Sequence, residues 1–135
     1  MGSKRAQIGV EYLILIGFLT FVIIGFFSLS FYMKNKTQDS IRDNQLENYA
    51  RKIISNSESI FYSGEPSRTQ LEVYLPDGIE YAGIVDNELV FNVSTSSGTS
   101  VIGFASKVPL EGTLSNIGGI QRIVIVAGAD KVIIS

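Results

Sequence analysis

The chain has no cysteine, no histidine and no tryptophan. Without cysteine there is no disulfide framework, and without Cys or His there is no thiolate or imidazole zinc site. Ser-His and Cys-His nucleophilic catalysis are excluded on the same ground, as is a histidine switch near neutral pH. Proline is scarce, at three residues, and charged residues make up only 18% of the chain. Eleven Lys and Arg stand against 13 Asp and Glu, a formal charge of −2, so there is no bulk basic attraction for nucleic acid. What is present is apolar: 45% hydrophobic residues and a mean hydropathy of +0.25. That is too apolar for a disordered chain and greasy for a small soluble domain. A length of 135 residues predicts one domain.

The apolar content is concentrated. Ile8 to Met33 is a run of 26 residues with one charge, Glu11, and no proline. As a helix it spans roughly 39 Å, enough for a bilayer core of about 30 Å. It shows no polar face, so lipid or protein must surround it on every side. From Lys34 to Tyr62 the pattern becomes amphipathic. Leu46, Tyr49, Ile53, Ile60 and Phe61 recur at helical spacing, with Ala50, Ile54 and Ser57 in the same stripe. Arg42, Asp43, Glu47, Arg51, Lys52 and Glu58 take the other faces. One helix is therefore predicted from about Gln7 to Tyr62, with the weak helix formers Asn35–Thr37 as a site for a bend and Gly64 and Pro66 as its end.

From Thr69 onward the reading is β. Leu71, Val73 and Leu75 alternate with polar neighbours, and Pro76-Asp77-Gly78 is a turn signal. Further strands are predicted at 79–85, 88–94, 100–105, 121–127 and 131–135, with Asp86-Asn87 and Gly128-Ala129-Asp130 as hairpin turns and Thr95–Thr99 as a flexible loop. The expected fold class is α+β: a long N-terminal helix, hydrophobic and then amphipathic, packed on a C-terminal antiparallel β-sheet head. The expected organisation is a leader at 1–6, a hydrophobic helix at 7–33, its amphipathic continuation at 34–62 and the head at 69–135.

The N-terminus does not read as an ordinary secretory signal. Such a signal has an apolar stretch of about 7–15 residues followed by a small-residue cut site, and this run is longer and has no such site. A plain membrane anchor does not account for Glu11, because an acid at mid-helix costs about 2.5–3.5 kcal/mol, less near the end. A cut between Ala6 and Gln7 would place a free amine four residues before Glu11. Two such helices offset along their axes could pair the amine of one with the carboxylate of the other, worth roughly 4 kcal/mol at 4 Å before desolvation. That pair would fix the register between neighbours.

Lys4-Arg5-Ala6-Gln7-Ile8-Gly9-Val10-Glu11-Tyr12-Leu13 resembles the class III signal peptide of archaeal type IV pilins. Four features coincide: a short basic leader, an Ala-Gln junction, an acid four residues past the Gln, and an unbroken apolar run. The common form has Ser at the small position that Gly9 occupies here. The motif covers about ten residues, while the long helix and β head extend the likeness to the whole chain as architecture. The resemblance implies a pilus subunit whose leader, held on the cytoplasmic side by Lys4 and Arg5, is removed between Ala6 and Gln7 by a prepilin peptidase. It implies a membrane precursor, then an extracellular helical homo-oligomer, built with an assembly ATPase and membrane platform proteins and serving adhesion. Glu11 is then the assembly and register residue.

Other signals are weaker. Asn35-Lys36-Thr37 and Asn92-Val93-Ser94 fit the N-glycosylation acceptor pattern, at Asn35 and Asn92. Lys34 and Lys36 nearly balance Lys4 and Arg5, so charge counting alone does not orient the span; the resemblance places the head outside. Asp77, Glu80, Asp86 and Glu88 read as solvated turn carboxylates rather than a cation site, and Tyr74 and Tyr81 as sheet packing. Gly118-Gly119 is no phosphate loop. No nucleophile–base pair, metal cluster or cofactor loop appears, so neither an enzyme nor a cofactor is expected. The alternatives are a minor pilin or pseudopilin, or an unprocessed single-span protein with a β-rich binding head outside the cytoplasm.

Overall fold

The computed structural model describes residues 2–135; of the expected leader, Met1 lies outside them. Helix α1 runs without interruption from Gly2 to Ser63, Asn35–Thr37 included. It begins several residues before the predicted start at Gln7. It stops at Gly64, whose φ of +82° is left-handed and ends the helical dihedrals, and whose N–H donates to the carbonyl of Phe61. By compactness the chain divides into two units between Gln38 and Asp39.

The N-terminal unit is helix alone. Between Ile8 and Met33 every residue is exposed except Val22, which is half-buried. The helix is long and apolar enough to cross a membrane.

The C-terminal unit, Asp39–Ser135, is an α+β fold. Its seven strands are β1 (Arg68–Leu75), β2 (Ile79–Val85), β3 (Glu88–Thr95), β4 (Gly98–Ala105), β5 (Leu110–Gly112), β6 (Gly119–Ala127) and β7 (Val132–Ile134). They form a four-stranded sheet, β1-β6-β7-β5, and a three-stranded sheet, β2-β3-β4. All pairs are antiparallel except β5 with β7, so the first sheet is mixed. β2 and β5 approach each other where the sheets meet, which leaves β4 and β1 as the free edges.

The core follows from the two periodicities. On α1 the buried stripe is Leu46, Tyr49, Ala50, Ile53, Ser57 and Ile60, the spacing expected for one helix face. On β3, Leu89, Phe91 and Val93 point inward, while Val90, Asn92 and Ser94 lie on the other face. Val73, Leu75, Ile123, Ile125, Val132 and Ile134 complete the core from the larger sheet. Ser57 is the one buried polar side chain among the described residues, and its hydroxyl donates to the carbonyl of Ile53 at 2.8 Å. Helix and sheets thus cover each other's apolar faces.

Two details differ from the sequence expectation. Thr95–Thr99 is not a flexible loop: β3 and β4 close through Ser96-Ser97, with Thr95 paired to Gly98. β5 is a strand that no periodicity announced. Its Gly112 sits at φ +140° against the carbonyl of Ile134, where a Cβ would collide with the β7 backbone. Tyr74 and Tyr81 stand on the outer faces of their strands, and the Tyr81 ring lies over Gly83 of the same sheet. The Asp86-Asn87 turn is as expected: both residues have positive φ, 50° and 64°, as a two-residue type I′ hairpin requires.

Candidate functional site

The sequence motif falls on the first turns of α1. Lys4, Arg5, Ala6 and Gln7 are all helical and exposed. Gln7 and Glu11 are four residues apart, so they share a helix face. The same spacing puts Ile8, Ile14 and Leu15 around Glu11, and the carboxylate stands on an apolar surface. Among the described residues Glu11 has no ion pair and no hydrogen-bond partner.

Two neutral hydroxyls of the apolar run behave differently. Thr20 donates to the carbonyl of Ile16 at 2.8 Å, and Ser28 donates to that of Ile24 at 2.9 Å. Such i−4 bonds satisfy a hydroxyl within its own helix, so it can enter lipid without an outside partner. A carboxylate has no donor of its own to return to the backbone. Glu11 is the one charged side chain of the apolar run, and among the described residues nothing pairs with it. Gly9, Gly17 and Gly25 have open space where a Cβ would stand. Among the described residues nothing requires them to be small.

In the C-terminal unit, polar side chains tie the helix to the strands. The carboxylate of Asp39 accepts from the Ser96 hydroxyl at 2.6 Å and from the Ser96 N–H at 3.3 Å. Arg42 donates to the Ser94 carbonyl and lies 3.6 Å from Asp39. The Ser96 hydroxyl bond, chiefly, holds the Asp39 carboxyl below the usual carboxylate range. Asp39 and Arg42 thereby fasten the β3–β4 turn to α1. Lower on the helix, the Tyr49 hydroxyl donates to Oε1 of Gln121 at 2.9 Å. Gln121 in turn donates through Nε2 to the carbonyls of Ser115 and Ile117. One glutamine thus joins α1, β6 and the strandless segment before β6.

Burial pushes the Tyr49 phenol up to about 12. A raised folded value favours the neutral phenol. The stability it contributes is complete below pH 10, the ordinary tyrosine value, and is lost as pH rises through about 12. The C-terminal unit is expected to lose stability across that window. Tyr49→Phe should flatten the loss, at a cost of about 0.5–1.5 kcal/mol at neutral pH for the missing hydrogen bond. Urea unfolding of both forms at pH 8 and pH 11 measures this. An equal decline in the two forms would assign the alkaline loss to other groups.

The acceptor asparagines lie in regular structure. Asn35 is exposed on α1. Asn92 is half-buried on the outer face of β3, with Tyr81 of β2 and Val101 of β4 opposite it on either side. Among the described residues no three of His, Cys, Asp and Glu are grouped to hold a metal ion. Sequence reasoning passed over the β4 edge. Its signal was the run from Leu89 to Ser106, which contains no charged residue and no proline.

Compared with protein-family models, with curated proteins and with solved structures, the chain matches none. Its fold class is α+β, and its N-terminal helix is compatible with anchoring in a membrane.

Proposed function

We propose that this chain is the structural subunit of an archaeal type IV pilus, made as a membrane-anchored precursor, cut between Ala6 and Gln7, and polymerised into an extracellular filament that serves adhesion. The observation that carries the reading is the exposed apolar run with, close to its start, a Glu11 that has no partner among the described residues. Exposed apolar area on this scale requires lipid or other protein around it. In lipid the helix is at rest, except for Glu11. In a bundle of like helices the apolar contacts are merely exchanged, so little hydrophobic gain drives assembly. Close packing at Gly9, Gly17 and Gly25 and pairing of Glu11 with the amine of a neighbour supply the preference. In this scheme the prepilin peptidase acts on Ala6-Gln7, with Lys4 and Arg5 keeping the leader cytoplasmic. An assembly ATPase and platform proteins move the subunit out of the membrane.

One observation favours the other reading, an uncut single-span membrane protein with a β-rich binding head outside the cytoplasm. The Ala6-Gln7 bond lies inside regular helix, and a peptidase needs that turn unwound. The N-terminus of protein taken from the surface of its native cell decides between them. A chain beginning at Gln7, read by mass or by N-terminal sequencing, is the expected result. A chain still carrying Lys4 and Arg5 in assembled material would overturn the pilin reading.

A further inference from the structure

The free edge of β4 is bare. The two-residue turn at Ser96-Ser97 makes Thr95 and Gly98 a hydrogen-bonded pair, and alternation along the ladder then fixes the rest. Gly98, Ser100, Ile102 and Phe104 bond to β3, while the N–H and C=O groups of Thr99, Val101, Gly103 and Ala105 point away from it. No other described residue bonds to those outward groups. The usual protections of an edge strand are missing here: β4 carries no charge, no proline and no bulge. Beside it runs a groove of about 480 Å³, bordered by Arg51, Ile54 and Glu58 of α1 and by Gly103 and Phe104. An added strand would have room there for its inward side chains.

The C-terminal unit has a second free edge, of matching length. β1 and β4 both have eight residues. The Ser67 carbonyl accepts from the Ala127 N–H, so the β1 residues bonded to β6 are Thr69, Leu71, Val73 and Leu75. Arg68, Gln70, Glu72 and Tyr74 turn their backbone groups outward. Set against β4, the Arg68 and Glu72 side chains face no charged residue of that strand.

We propose that the β4 edge of one copy forms a ladder with the β1 edge of a second copy of this chain, so that the sheet continues from subunit to subunit. The occupant follows from the edges themselves. A β4–β4 contact is two-fold, closes on itself and leaves both β1 edges open. A β4–β1 contact is heterologous, uses both edges of every subunit and does not close, which is the symmetry of a filament. This inference rests on the filament reading and names the contact its outer layer makes. One added strand buries less than a self-standing interface needs. The contact therefore becomes effective when the apolar helices hold the copies close together.

The chain has no native cysteine, so introduced pairs report without background. In full-length protein in native membranes, Val101→Cys is combined in turn with Gln70→Cys, Glu72→Cys and Tyr74→Cys on the same chain, then oxidised. At least one combination is expected to give a ladder of dimers, trimers and higher species, with Val101→Cys alone staying monomeric. No ladder from any combination, or dimers from Val101→Cys alone, overturns the β4–β1 contact. Val101→Lys on an otherwise unchanged chain charges the edge. It should lower filament yield roughly tenfold while leaving the amount of folded protein in the membrane unchanged; an unchanged yield counts against the contact. The two readings fail separately. Filaments built of this chain without cross-links sink the edge contact alone. Cross-linked ladders in membranes that never yield filaments uphold the contact and sink the filament.

Discussion

Glu11→Gln is expected to leave leader removal and membrane insertion intact and to abolish most filament formation. The substitution keeps the size and polarity of the side chain and removes only its charge. In the bundle, the amine of the neighbouring helix then has no counter-ion. Removing one partner of a buried ion pair costs about 3–5 kcal/mol, or roughly two to four orders of magnitude in the affinity between subunits. Glu11→Asp should fall between the two, because the charge remains but its reach is shorter. The opposite sign is expected of a plain anchor. There the acid only burdens insertion, and Glu11→Gln should be neutral or should help. Filament yield by electron microscopy, beside the quantity of processed subunit in membranes, separates these outcomes. Normal filaments from Glu11→Gln would remove the register role.

Much of the architecture could be read along the chain because it depends on local pattern. The stripe of Leu46, Tyr49, Ala50, Ile53, Ile54, Ser57, Ile60 and Phe61 is legible because a helix repeats every 3.6 residues; all are buried except Ile54 and Phe61, which are half-buried at its margin. The β2–β3 hairpin was visible because Asp86 and Asn87 are residue types that tolerate positive φ. What escaped depends on long-range pairing. β5 has three residues, too few for an alternation to appear, and it is held in place by parallel pairing with β7. The division into two sheets, the approach of β2 to β5 and the free edge at β4 depend on strand order, which no window of sequence contains. The Ser96-Ser97 turn read as a loop because its tightness comes from the pairing of β3 with β4 and from Asp39 beyond it. The candidate site divides in the same way. The basic leader, the Ala-Gln junction and Glu11 are a linear motif, legible without a fold. On the pilin reading the partner of Glu11 would belong to another molecule, so its position would be written in no single chain.

The two units differ in what they need. The C-terminal unit satisfies itself: among the described residues it leaves no buried side-chain donor or acceptor without a partner. The apolar run satisfies almost nothing except its own backbone and the hydroxyls of Thr20 and Ser28. A variant that damages one unit should therefore spare the other, and that separation can be tested at the centre of the β-rich unit.

Phe91→Ala is expected to cost the C-terminal unit about 4 kcal/mol. Phe91 is fully buried on β3. Its ring meets Tyr49 edge-on, with centroids 5.8 Å apart at 82°, and Phe104 with centroids 6.1 Å apart at 67°. Alanine removes the ring from both contacts and leaves a cavity between helix and sheet that neighbours fixed by β pairing can only partly fill. A domain of this size is stable by about 5–15 kcal/mol, so the loss is a large share of the whole. The melting temperature of the β signal in circular dichroism should fall by roughly 20 °C. Phe91→Leu restores most of the volume and should recover more than half of the loss. Insertion of the apolar run into membranes should not change in either variant, because no residue of Ile8–Met33 is buried against the core that Phe91 fills. If Phe91→Ala also emptied the membrane fraction while the chain was still being made, the two units would not be separable in this sense. The yield of filaments from Glu11→Gln would then have to be judged against the folding of the whole chain.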